Sequence, residues 1–104
     1  MKNFNDIQFK QHPLHTSGII GRMFFPNGYG VSVVKHPRSY GGSEGLYEVA
    51  ILSKNGKLNY NTPLTSDVIG YLTQDDVDKL LIQVQQLRRW KVFLINLKKS
   101  ILGK

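Results

Sequence analysis

The 104-residue chain contains no cysteine. Disulfides, thiolate metal sites and cysteine nucleophiles are excluded, and a reducing, intracellular setting is expected. It has no uninterrupted apolar run of about 18 residues, the length a membrane-spanning helix requires. Its first residues, Met-Lys-Asn-Phe-Asn-Asp, lack the apolar run of a signal peptide. Acid is missing from the last quarter of the chain. All seven acids (Asp6, Glu44, Glu48, Asp67, Asp75, Asp76, Asp78) lie at or before position 78. Seven bases balance them over the same span, so the formal charge of +7 resides wholly in residues 79–104. Such asymmetry points to an anionic partner, namely nucleic acid, an acidic protein face or a lipid surface, or to a solvated helix that keeps a small protein soluble.

What is present is an ordinary globular composition, 40% hydrophobic and 20% charged, which fits one domain rather than a disordered chain. Residues 1–18 read as a peripheral arm able to add an edge strand to the sheet, with Phe4, Ile7 and Phe9 able to form a short strand. His12 and His15 are spaced as metal ligands on a helix would be, but Pro13 argues against a helix and no third ligand is near in sequence. Ile19 to Phe25 is a strand candidate, closed by the turn Pro26-Asn27-Gly28. Tyr29, Val31 and Val33 alternate with smaller or polar neighbours, the period of a half-buried strand. Leu46 to Leu52 repeats that pattern, and the Asn55-Gly56 turn leads to a short third strand from Leu58 and Tyr60. Val68 to Leu72 reads as a link to the helix. Tight turns join antiparallel neighbours, so residues 19–72 should form a meander.

Thr73 has the position of an N-cap, with Asp75, Asp76 and Asp78 at the positive end of the helix dipole. No proline or glycine follows until Gly103, so the periodicity predicts a helix over 73–102. Val77, Leu80, Leu81, Val84 and Leu87 form one apolar stripe. A second stripe, Trp90, Phe93, Leu94, Leu97 and Ile101, is rotated from it by about 115°. One straight helix cannot press both on one small sheet. A kink near Arg88-Arg89 or a projecting second half is expected.

Between the two central strands lies a polar loop, His36 to Gly45. It is long for a hairpin connection and mixes Arg38, Tyr40 and Glu44 with Gly41, Gly42 and Gly45. His36 with Ser39 or Ser43 could form a base and nucleophile only if packed into a rigid, dry cleft. The G-x-x-x-x-G-K-[ST] phosphate cradle is absent, although the glycine N–H groups beside Arg38 could face an anion.

The stretches Pro-Asn-Gly-Tyr-Gly-Val-Ser-Val-Val (26–34), Ser-Tyr-Gly-Gly-Ser-Glu-Gly-Leu-Tyr-Glu-Val-Ala (39–50) and Asp-Val-Ile-Gly-Tyr-Leu-Thr (67–73) carry a resemblance. From Phe24 to Leu87 the chain resembles small proteins, largely without assigned function, encoded by tailed bacteriophages. The resemblance implies a phage product acting in the cytoplasm of the bacterial host, and brings no catalytic residues with it. The arm and the basic C-terminal extension lie outside the shared pattern.

The expectation is an α+β domain spanning 1–104: a three- to four-stranded antiparallel β-meander packed against one long C-terminal helix. It is expected to act as a non-enzymatic accessory protein that binds, and inhibits, a bacterial host protein. Arg38, Tyr40, Gly41, Gly42 and Glu44 are the loop candidates. Arg88, Arg89, Trp90, Lys91, Leu94 and Lys98 are the candidates at the helix end. There, nucleic-acid binding is the alternative; docking on a membrane surface and a homodimer seam through Leu87, Trp90, Leu94, Leu97 and Ile101 are further readings. No cofactor or metal is expected.

Overall fold

A computed structural model of the chain describes residues 1–59, 62 and 68–87. Five strands form one sheet in sequence order: β1 (Lys10–Gln11), β2 (Ile19–Phe24), β3 (Gly30–Lys35), β4 (Tyr47–Leu52) and β5 (Ile69–Leu72). Every neighbouring pair is antiparallel. Among the described residues a single α-helix, α1 (Gln74–Gln86), packs on one face. The class is α+β, and the meander is as the turns predict.

Period two explains the core. Val31 and Val33 of β3 and Val49 and Ile51 of β4 are paired across the sheet and turned toward the helix. Val77, Leu80, Leu81 and Val84 meet them from α1, one stripe at helical spacing. Each such side chain stabilises the fold by roughly 1.5–3 kcal/mol through burial. Thr73 caps the helix as its position predicts. Its hydroxyl accepts from the Asp76 N–H at 3.1 Å, and the Asp76 carboxylate accepts from the Thr73 N–H at 3.0 Å.

Three expectations are corrected. The sheet has five strands, not three to four. β1 is the edge strand the arm was able to add, and β5 occupies the stretch read as a link. Leu58, read as the start of a strand, makes only an isolated bridge to Leu52, and Tyr60 lies outside the described residues. The helix is not long. It ends at Gln86, and Leu87 is extended (ψ 134°). The amide of Asn27, from the β2–β3 turn, donates to the carbonyls of Val84, Gln85 and Leu87 at 2.9, 3.2 and 2.7 Å. The Val84 carbonyl also accepts from the Leu87 N–H, so the distant turn adds a second donor there and reaches the carbonyls of Gln85 and Leu87 at the helix end. Residues 88–104, with the expected kink and the second stripe, lie outside the described residues. The arm, finally, is not peripheral. Phe4–Asp6 is a 3-10 turn rather than a strand. Ile7 is buried in the core. The Phe4 N–H donates to the Asp78 carboxylate, and Lys2 and Gln85 exchange two hydrogen bonds. Phe4, Phe9 and Tyr47 pack as an aromatic trio with centroids 5.3–5.9 Å apart.

Candidate functional site

The loop between β3 and β4 is folded down into a rigid tip. The Ser39 hydroxyl accepts from the His36 N–H at 3.0 Å and donates to the His36 carbonyl at 2.8 Å. A 3-10 turn over Gly42–Glu44 follows, and the Gly41 carbonyl accepts from both Glu44 and Leu46 N–H groups. Two glycines make this path possible. Gly41 has φ +87°, and a Cβ there would lie 2.8 Å from the Tyr71 Cα. A Cβ on Gly42 would collide with the His36 carbonyl. Both therefore act through the backbone, by letting the chain close on itself.

Two bonds staple the tip to the sheet. The Tyr40 N–H donates to the Glu48 carboxylate of β4 at 3.0 Å. The Tyr40 carbonyl accepts from the Tyr71 N–H of β5 at 3.0 Å. Tyr40 and Tyr71 are thereby neighbours, and each leaves 59% of its surface exposed. Tyr71 has φ +57°, the one non-glycine residue with positive φ among those described. That region costs an L-residue roughly 1–2 kcal/mol. Arg38 is exposed beside Tyr40 and has no ion-pair partner among the described residues; Glu44 is exposed on the 3-10 turn. The five loop candidates thus share one tip, with Arg38, Tyr40 and Glu44 presenting side chains. Arg88, Arg89, Trp90, Lys91, Leu94 and Lys98 lie outside the described residues.

Sequence reading missed Tyr71 and Glu48, which face the tip from β5 and β4. It also missed a histidine cluster at the base of the loop. The register Gln11↔Ile19 and Ile19↔Lys35 sets the 12–18 loop beside His36. The His15 and His36 rings stack at 3.9 Å with an 8° tilt, and His12 lies 4.9 Å from each. His36 is the third imidazole that the His12 and His15 pair lacked in sequence. The arrangement does not suit a metal. A ligated ion lies in the plane of each imidazole, and two parallel rings 3.9 Å apart share no such point. The Nδ1 atoms of His12 and His36 accept from the Leu14 and Arg38 N–H groups, each at 3.1 Å, which leaves the proton of the neutral ring on Nε2. Among the described residues no group of side chains is placed to hold a metal ion.

Burial lowers the His36 pKa below the ordinary imidazole value. The neighbouring His15 and His12 add to this, while Glu48 opposes it. The Ser39 hydroxyl, spent on backbone, does not meet the His36 ring as a nucleophile would meet its base.

Charge is arranged unequally. Of the six described acids, Asp6, Glu48, Asp76 and Asp78 each accept from a backbone N–H. The bases Lys10, Arg22 and Arg38 have no ion-pair partner among the described residues. No described helix is long and apolar enough to cross a membrane. Compared with family models, with curated proteins and with solved structures, the chain matches none.

Proposed function

We propose that the chain is a non-enzymatic binding protein, a phage-encoded accessory product that docks on a bacterial host protein in the cytoplasm and inhibits it by occupying its surface. The observation that carries this reading is the exposed Tyr40–Tyr71 pair, fixed by one hydrogen bond and held at a strained backbone position. Tyrosines offer large, rigid contact area at low entropic cost, and with arginine they dominate the energetics of protein interfaces. Arg38, two residues before Tyr40, is exposed and has no ion-pair partner among the described residues. Backbone strain persists only where the surroundings enforce it and clusters at binding sites. The phage setting rests on the motif resemblance of residues 24–87.

The test is affinity capture from bacterial lysate by the intact chain and by the Arg38→Ala plus Tyr40→Ala variant, followed by binding measurements with the purified captured protein. One host protein should be held by the intact chain and lost by the variant. Equal retention by both would remove the tip from the interface. The alternative is nucleic-acid binding by the basic segment 88–99, favoured by the concentration of the whole formal charge in residues 79–104.

A further inference from the structure

The face of the sheet turned away from α1 carries its own constellation. Ile20, Arg22 and Phe24 alternate with Gly21 and Met23, which face the arm and the core. Lys10 pairs with Ile20 across β1 and β2, so its side chain shares that outer face. Gln8, Lys10, Pro13, Ile20 and Arg22 line a cleft of about 390 Å³. Its lining combines the apolar Pro13 and Ile20 with two cations that have no ion-pair partners among the described residues. Two positions along β2 from Arg22, Phe24 lies against Gly30 of the next strand, its Cδ1 2.6 Å from where a Cβ would stand. A glycine beneath the ring supports one side of it, and half of the Phe24 surface remains open to solvent.

We propose that this outer face of β1 and β2 binds single-stranded nucleic acid, with Lys10 and Arg22 on phosphates and Phe24 stacking on a base. Unpaired cations next to an accessible aromatic ring are the two components of sequence-tolerant single-strand binding. Neither cation has an ion-pair partner among the described residues. Same-face residues two apart in a strand are about 6.7 Å apart, so Ile20 to Phe24 spans about 13 Å, room for a few nucleotides. A flat sheet face has no element shaped to enter a duplex groove, which favours the single strand. The site is separate from the Tyr40–Tyr71 tip.

The test is titration of a labelled oligothymidylate into the full chain over a series of salt concentrations. For Lys10→Ala plus Arg22→Ala, the slope of log affinity against log salt should fall by about 1.4, since each phosphate contact on a single strand contributes about 0.7. Phe24→Ala should leave the slope intact and weaken binding by about tenfold, the loss of one stacked base. A duplex of the same length should be insensitive to Phe24→Ala. All three side chains are surface groups, so each variant should melt as the intact chain does. Should one fail to fold, photo-crosslinking of the intact chain with an iodouridine oligonucleotide decides. An adduct within residues 19–24 supports the site, and adducts only beyond residue 87 overturn it. Four other outcomes also overturn it: no binding at low salt, affinity lost only on Arg88→Ala plus Arg89→Ala, duplex bound with equal dependence on Phe24, or Arg22-dependent binding to anionic phospholipid vesicles but not to the oligonucleotide.

Discussion

Tyr71 stands in a left-handed backbone conformation on an edge strand, with most of its ring in solvent. A glycine would occupy that conformation without steric cost, offset by its own entropic penalty of about 0.5–1 kcal/mol. Tyr71→Gly should therefore leave the unfolding free energy within about 1 kcal/mol of the intact chain in urea titration, while partner capture is lost. Marked destabilisation would mean that the ring serves the fold. The histidine cluster makes a second prediction. Because the folded pKa of His36 is lowered, the unfolded state binds its proton first as pH falls. The stabilisation from neutral His36 is complete above about pH 6.5, the ordinary imidazole value. It declines progressively below that, down to the folded pKa. Thermal melts at neutral and mildly acidic pH should show that fall, and His15→Ala, which removes one of the neighbours that lower the His36 pKa, should reduce it. A pH-independent midpoint in the intact chain would contradict the assignment.

At the scale of elements, α1 shows what was legible in the residues and what was not. Its start could be read, because Thr73 and Asp76 are a local capping pair, and so could its buried stripe. Its end could not: no proline or glycine marks Leu87, and the cap is Asn27, 57 to 60 residues away. Asn27→Ala should cost about 1–2 kcal/mol by chemical denaturation, since it strips an amide donor from half-buried carbonyls and an acceptor from Tyr29 N–H. An effect below a few tenths would mean that water replaces the cap. Of the three longer strands, β3 and β4 were legible from period two and β2 from its apolar content and the turn that closes it. β5 was hidden because Gly70, the positive φ of Tyr71 and a register shift against β4 break that period within four residues. The arm's edge strand was legible, but its packing was not, because Ile7 and Phe9 find their partners only in the tertiary fold. The loop's place as a projecting tip was readable from its glycines, but not its anchors Glu48 and Tyr71. Gly41→Ala places a Cβ between Tyr71 and Leu46 at φ +87°, and should destabilise the fold by about 1–3 kcal/mol while weakening capture. Unchanged stability and capture would show the tip to be pliable.

On the scale of the whole molecule, the acids are mostly consumed in holding backbone N–H groups, whereas the bases Lys10, Arg22 and Arg38 are left to solvent. A sheet with one face packed on α1 and the arm thus offers a tyrosine-bearing tip at one place and a cationic, aromatic surface at another. The central claim is that the tip is a preformed protein-docking site whose strain serves binding. It is tested most directly by measuring the affinity of the purified captured host protein for the intact chain, for Tyr40→Ala and for Tyr71→Gly, alongside the melting curve of each. The expected result is a loss of about tenfold or more in affinity for both variants, as interface tyrosines give, with melting unchanged for Tyr71→Gly. Full affinity in both variants, or a loss that tracks their unfolding, would contradict it.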